Sequence, residues 1–276
     1  MKLQILNQDL NKKGEKELPQ QFNEEYRPDL ISRAVHALHS SKRQRYGASP
    51  EAGMRSASKV SKRRRKYRGC YGFGISRVNR KILSRRGTRM FWVGAFSPQT
   101  VGGRRSHPPK AEKVFEQKIN TKERRKAIRS AMAATVSKDL VTSRGHSVPE
   151  NYPFIIDSAI EQLNKTKDIK EALLKLGFKD ELERTLIRKV RAGIGKLRGR
   201  KYKTKKGPLI VTSKECELSK SARNISGLDV CKVNNLNAEL LAPGAVPGRL
   251  TIYTEDSLKV FDDKSLFLES KGVIKK

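Results

Sequence analysis

Leu209-Ile210-Val211-Thr212 reads as a short buried strand, and from it onward the hydrophobic period of the chain changes. Downstream, Lys220 to Arg223 read as a helical turn and Leu228-Asp229-Val230-Cys231 as a second strand. Leu236 to Leu241 then read as a short helix, and Leu250-Thr251-Ile252-Tyr253 as a third strand. Short strands alternating with short helices indicate βα units and a mostly parallel sheet. The expected class is α/β, a Rossmann-like open sheet with flanking helices.

Upstream, Leu3 and Ile5 alternate with Lys2 and Gln4 as a first strand, followed by a turn-rich stretch. Leu30, Ile31, Ala34, Val35 and Leu38 recur at helical spacing after Pro28, which a first turn tolerates. Helical spacing returns near Thr121, where Ala127, Ile128, Ala131, Ala134 and Thr135 make a narrow face of small residues. Lys122, Arg124, Arg125 and Lys126 lead that helix against its dipole, a cost of ~0.3–1 kcal/mol per charge at most. Pro153 to Asp157 read as a strand. Thr166 is the expected N-cap of a helix closed by Gly177, and Asp180 with Glu183 resembles a capping box. That last helix would continue through Leu182, Leu186 and Val190 before dissolving into a basic, glycine-rich run, Gly193 to Lys203.

Between the two N-terminal helical patterns lies Ser41 to Lys110, with about 20 Lys and Arg, one acid (Glu51) and about 13 Gly and Pro. Its centre runs Lys62-Arg63-Arg64-Arg65-Lys66-Tyr67-Arg68-Gly69. Such a segment lacks the apolar surface to offset a backbone ordering cost of ~1–2 kcal/mol per residue. Structureless loops this long belong to function or to disorder. The expected organisation is one discontinuous body, residues 1–45 with 110–265, an extended arm, 46–109, and a frayed tail, 266–276. Out and back, the arm would reach at most about 100 Å at ~3.3 Å per residue, and about half that if kinked.

The net charge is +33 over 276 residues, with a sequence pI near 10.4. Self-repulsion on that scale is relieved by a polyanion. Anionic membrane is disfavoured, because the basic stretch is rich in Gly and Arg and is no amphipathic helix. Cys70, Cys216 and Cys231 are too few and too scattered for a disulfide framework or a zinc site, which points to a reducing compartment. The N-terminus has no signal-peptide run, and no window is long and apolar enough to span a membrane.

Catalytic and cofactor patterns fail one by one. Gly193-Ile194-Gly195-Lys196 has no Ser or Thr after the lysine, lacks the full phosphate-loop spacing and follows a helix instead of opening one. His36, His39, His107 and His146 show no metal pattern and read as helix-face or surface residues. Acids near strand ends, such as Asp157, Asp229 and Asp256, read as helix caps as readily as an acidic site. No enzyme, cofactor, metal or small-molecule substrate is expected.

The basic stretch is different in extent and in its interleaved aromatics. Arginine forks suit phosphate, glycines let backbone approach it, and aromatic rings stack on unpaired bases. RNA is favoured over DNA, since no helix-turn-helix or finger is present to read a groove. The expected RNA-binding residues are Arg43, Arg45, Tyr46, Arg55, Lys62, Arg63, Arg64, Arg65, Lys66, Arg68, Tyr71, Phe73, Arg77, Arg85, Arg86, Arg104, Arg105 and His107. The second basic run adds Arg198, Arg200, Lys201 and Lys203. Met90-Phe91-Trp92-Val93 fits a local hairpin as well as base stacking.

Gly102-Gly103-Arg104-Arg105-Ser106-His107-Pro108-Pro109 and the helix Lys122 to Thr135 resemble a known family, the universal large-ribosomal-subunit protein four in its archaeal and eukaryotic form. Gln44-Arg45-Tyr46-Gly47, Ala222 to Val230, Leu236 to Gly244 and Gly248 to Thr251 agree with it. Ser226 stands where that family has proline, and about Ser61 to Thr100 is longer and bulkier than its arm tip. The modest length fits the archaeal type. The resemblance implies a cytoplasmic protein of the ribosome whose α/β body lies on the outside of the large subunit. Its arm would thread large-subunit rRNA and, beside protein twenty-two, narrow the peptide exit tunnel. It also makes Arg45, Tyr46, Gly47, Gly103, Arg104, Arg105, His107, Pro108 and Pro109 the rRNA-packed roots of the arm. The residues alone also allow a free-standing RNA chaperone or ribonucleoprotein assembly factor. A nucleotide-dependent enzyme rests on fold analogy only.

Overall fold

In a computed structural model that describes residues 1–58, 60–65 and 70–268, the chain divides into two compact units. One comprises Met1–Lys42 with Glu116–Lys276, and the other is Arg43–Phe115.

The first unit is built on a six-stranded sheet. Its N-terminal part holds β1 (Lys2–Leu6), β2 (Lys12–Glu17) and helix α1 (Pro28–Ser41). The second unit carries β3 (Arg80–Arg86) and β4 (Arg89–Gly94). The chain then re-enters the first unit as α2 (Thr121–Val136), α3 (Lys138–Ser143), β5 (Ile155–Ile156), α4 (Thr166–Lys175) and α5 (Lys179–Leu186). After β6 (Arg188–Val190) and β7 (Tyr202–Thr204) come β8 (Leu209–Thr212), α6 (Leu218–Ser221), β9 (Asp229–Lys232), α7 (Ala238–Leu241), β10 (Thr251–Thr254) and α8 (Glu255–Asp263).

The sheet order is β2-β1-β5-β10-β8-β9, and every pairing is parallel except β1 with β2. Leu209 lies opposite Thr251 on one side and Asp229 on the other. All four residues of β8 and of β10 are buried, as expected of central parallel strands covered on both faces. The mixed α/β class and the mostly parallel sheet expected from the sequence are therefore present. At the edge, β2 replaces part of the stretch read as turns. Its sequence, Lys-Lys-Gly-Glu-Lys-Glu, has no apolar residue to signal a strand, and charged side chains suit an unpaired edge.

Strand alternation divides the core in two. Ile5, Ile155, Leu209, Val211 and Tyr253 face α1, α2, α7 and α8. Leu6, Ile156, Ile210 and Ile252 face a second layer containing Val141 of α3, Ile169 and Leu173 of α4, Leu182 of α5 and Leu218 of α6. Each fully buried Leu, Ile, Val or Phe contributes roughly 1.5–3 kcal/mol of transfer free energy. On α2 the small face, Ala127, Ala131 and Ala134, is fully buried and admits close packing. Phe22 meets Tyr253 edge-on at 5.0 Å and Phe261 at 6.1 Å.

Several sequence-level expectations need correction. Thr166 is the first residue of α4, and neither it nor Lys165 caps the helix through a side chain. Asp180 and Glu183 form no capping box, since α5 begins at Lys179 after Phe178 without a side-chain cap. Gly177 does end α4, at φ +84°. The helix expected to run to Val190 stops at Leu186, because its stripe has nothing to pack on: Leu186, Ile187 and Val190 are all exposed. His146 is buried, not on the surface. In the segment read as a tail, Leu266 accepts a hydrogen bond from Gln21, Phe267 from Arg129 and Leu268 from Arg125. Residues 269–276 lie outside the described residues.

Within Arg43–Phe115 the only strands among the described residues are β3 and β4, an antiparallel hairpin turned by Gly87 at φ +57°. Met90 to Val93 belong to this hairpin, with Trp92 opposite Ile82 and Phe91 opposite Ser84. Just two described residues of the unit are buried, Cys70 and Ala95.

Candidate nucleic-acid interface

With so little burial, the second unit is held by backbone contact between its two limbs. Ala48 N–H donates to the Pro109 carbonyl at 2.9 Å. A Cβ on Gly47 would lie 2.3 Å from the Ala111 nitrogen, so only glycine lets the limbs meet there. Gly53, at φ +73°, would likewise set a Cβ 2.6 Å from the Arg104 Cα. These approaches bring Tyr46 beside the His107-Pro108-Pro109 turn.

At this root the Tyr46 and Phe115 rings stack at 5.5 Å with an interplanar angle of 18°. The Arg43 guanidinium lies 4.2 Å from the Phe115 centroid and 5.5 Å from that of Tyr46, and Lys113 Nζ lies 5.7 Å from the Phe115 centroid. Tyr46, Phe115 and Lys113, together with Arg105, His107, Pro108, Pro109, Lys110 and Glu112, line an open cavity of about 690 Å³, with Arg43 over the rings beside it. Of the expected RNA-binding residues, the structure thus gathers Arg43, Tyr46, Arg105 and His107 in one place. Phe115 and Lys113 complete the group. No local pattern singles them out, because they join Tyr46 only across the closed limbs.

Farther along, Arg77 sits 4.5 Å and Arg64 5.9 Å from the Tyr71 ring centre, so cations already cover that aromatic. The Cys70 thiol donates to the Ser61 carbonyl at 3.3 Å. Arg55 bonds Ser49 and lies 3.7 Å from Glu51. Lys62, Arg63, Arg65, Arg86 and Arg105 are exposed, Phe73 is 68% exposed, and Arg104 is half-buried. Arg85 donates to the Gly87 carbonyl in the hairpin turn. Leu83 and Trp92 on the same hairpin are 68% and 56% exposed. Lys66 and Arg68 lie outside the described residues.

A second basic surface belongs to the first unit. The hairpin β6–β7 places Lys189 opposite Lys203, and Arg191 N–H bonds the Lys201 carbonyl at the next step. Like charges facing each other across strands are destabilising in isolation. Arg198, Arg200, Lys201 and Lys203 are all exposed here. Lys189 and Arg191 join this surface, and the helical rhythm expected through Val190 hides Lys189 in the sequence. The hairpin's base is fixed from below, since Arg184 Nη2 donates to the Lys206 carbonyl at 2.7 Å and to Glu181 Oε1 at 2.6 Å.

Glu181 is buried beneath that base, with His146 Nδ1 at 2.7 Å and the Ser147 N–H at 3.0 Å. Burial pushes the Glu181 carboxyl up, but hydrogen bonds from Arg184, His146 and Ser147 outweigh it and hold it below the ordinary range. Burial also pushes the His146 imidazole down, past the opposing pull of Glu181, so it is neutral and donates Nδ1–H to the carboxylate. Two of the leading cations of α2 are satisfied within the fold: Lys126 approaches Glu24 at 3.7 Å and Arg125 bonds a carbonyl; farther along the helix, Arg129 pairs with the same Glu24 at 2.7 Å.

Among the described residues no group of His, Cys, Asp and Glu is arranged to hold a metal ion, and no helix is long and apolar enough to cross a membrane. Gly193 precedes a short 3₁₀ turn, Ile194–Arg198, and opens no α-helix of the phosphate-loop kind.

Residues 16–264 match the profile described as the ribosomal protein L4/L1 family. The large ribosomal subunit protein uL4 of Nanoarchaeum equitans is 52% identical over 268 residues, covering 97% of this chain and all of the relative. The uL4 proteins of Methanosphaera stadtmanae and Archaeoglobus fulgidus are 45% and 42% identical, over 90% and 94% of this chain and 91% and 97% of their own lengths.

Proposed function

Since the chain belongs to the ribosomal protein L4/L1 family, we propose that it is a structural, non-enzymatic constituent of an archaeal-type large ribosomal subunit in the cytoplasm. It binds large-subunit rRNA through Arg43–Phe115 and through the β6–β7 hairpin. The observation that carries this reading is the contrast within Arg43–Phe115: many exposed cations beside only two buried described residues. That surface has too little core to be a domain for its own sake and too much charge to face water unaccompanied.

In this reading residues 46–109 are an arm inserted into a discontinuous body, and the body is a Rossmann-like scaffold used for rigidity. Its order, β2-β1-β5-β10-β8-β9, sets it apart from the dinucleotide-binding arrangement 3-2-1-4-5-6. The arm reaches between rRNA segments toward the peptide exit tunnel, where it lines the wall beside the large-subunit protein numbered twenty-two. Arg63, Arg64, Arg65, Arg77, Arg85 and Arg86 meet phosphates along it, as do Lys62 and Arg55. The exposed Phe73 and Trp92 rings supply stacking surface. Closer to the body, Arg45, Arg104 and His107 pack at the root, while Arg198, Arg200, Lys201 and Lys203 anchor the body.

Binding to large-subunit rRNA as a function of salt tests the reading. With about 6–10 phosphates neutralised, affinity falls ~10²–10⁵-fold between about 50 and 200 mM salt. A flat salt response, or failure to co-sediment with large subunits, contradicts it.

A further inference from the structure

The cavity at the root of the second unit has the features of a site for a single flat ring, not only for backbone phosphate. The Tyr46 and Phe115 rings stack on one another at 5.5 Å, and both residues line the cavity, so a further flat ring can extend the stack. Tyr46 is half exposed even though it is locked in place by the Gly47 and Ala48 contacts to the opposite limb. The Pro108-Pro109 pair is stiff and apolar, and Arg105, His107, Lys110 and Lys113 also line the cavity, with donors for phosphate or ribose. Glu112 also lines the cavity, and its carboxylate makes no hydrogen bond or ion pair among the described residues. An acceptor-only group placed in so cationic a wall is poorly matched to phosphate. It matches a ligand that offers donors.

Resting on the RNA-binding reading, we propose that this cavity receives one unpaired guanine of the bound RNA. The base stacks on the Tyr46–Phe115 wall and presents its Watson–Crick edge to Glu112. Guanine carries two adjacent donors there, N1–H and the exocyclic N2 amine, a pair that a carboxylate accepts with both oxygens. Adenine and uracil offer no such pair. Arg43, 4.2 Å from the Phe115 centroid, keeps the stack positively charged, and Arg105 and Lys113 take the flanking phosphates. The site would read one base in a protein whose other contacts are indifferent to sequence.

The test uses the full chain and labelled single-stranded heptamers, UUUGUUU, UUUAUUU and UUU-abasic-UUU, in anisotropy titrations at one fixed salt concentration. Stacking alone is worth about 5- to 150-fold per base. The G heptamer is expected to bind tightest, with the A heptamer between it and the abasic one. Glu112→Gln keeps the shape of the wall and should remove the preference for G over A while leaving both tighter than abasic. Tyr46→Ala with Phe115→Ala should bring all three heptamers together. Equal binding of the three by the unaltered chain overturns the inference and leaves the RNA-binding reading intact. A G preference that survives in Glu112→Gln overturns the role of the carboxylate. If no heptamer binds at all, the inference and the RNA-binding reading fail together.

Discussion

Two ways of holding a chain together meet in this molecule. In the first unit, Phe261 is completely buried and touches three other aromatic rings, and each central strand is covered on both sides. In the second, Phe73 stands 68% exposed, two described residues are buried, and order comes from glycines that let backbone touch backbone. The first arrangement is stable by itself through apolar burial. The second lacks that source of stability and carries a large positive charge, and under the proposed function its full order would come with the RNA it binds. The lesson is that a fold can finish its core in one place and leave another segment to be completed by its partner.

The largest effect that can break this comparison is removal of the second unit. The Gln117 N–H donates to Ser40 Oγ at 3.0 Å, so the two ends of the first unit already lie together and a short linker can join them. Replacing residues 47–110 by such a linker should leave cooperative urea unfolding with a nearly unchanged midpoint. Affinity for large-subunit rRNA should drop by at least about 10²-fold near 50 mM salt. Loss of cooperative unfolding would show that the two regions are not separable. Next comes Phe261→Ala, expected to destabilise by about 3–5 kcal/mol through the cavity it leaves among Phe22, Tyr253 and Phe267. Denaturant unfolding of the full chain reads it directly.

Gly47→Val should act only on the second unit. Any Cβ there meets the Ala111 nitrogen at 2.3 Å, so the limbs must part. The expected result is faster proteolysis between Tyr46 and Lys110 with unchanged unfolding of the first unit. A smaller effect is pH dependence centred on His146. The fold holds this imidazole neutral, whereas the unfolded chain titrates near ~6.5, so below that pH the unfolded state binds the extra proton. Stability should therefore fall as pH drops from 7 toward 5. Glu181, also held below its ordinary range, adds a loss in the same direction at more acid pH. In thermal unfolding, His146→Gln should flatten the slope between pH 7 and 5, and an unchanged slope would remove His146 from the account. Smallest of all, Phe73→Ala should leave stability within about 0.5 kcal/mol, since that ring is exposed.

How much was legible beforehand follows the same division. Strands β8 and β10 were readable because burial on both faces demands unbroken apolar character, and Leu209 to Thr212 and Leu250 to Tyr253 have it. Strand β2 was not readable, since its place depends on pairing with β1 and its side chains are Lys, Glu and one Gly. The end of α5 is not legible in the sequence, because Leu182, Leu186 and Val190 keep a helical rhythm whether or not that face has anything to pack against. At the candidate interface, charge and aromatics were plain in the composition. The cavity was not, because it arises where Gly47 meets Ala111 and sets Tyr46 on Phe115, contacts between limbs far apart in the chain. The burial of His146 is hidden for a related reason: it sits in the loop after α3, and its partner Glu181 lies far along the chain on α5.

Hydrogen exchange on the whole chain, free and within the large subunit, tests the division most directly. In both states the amides of β8 and β10 should be strongly protected. Those between Met54 and Gly102, the hairpin β3–β4 included, should exchange rapidly in the free chain and become protected in the subunit. Equal protection of that stretch in both states, or rapid exchange there within the subunit, would contradict the claim that RNA completes what the sequence leaves open.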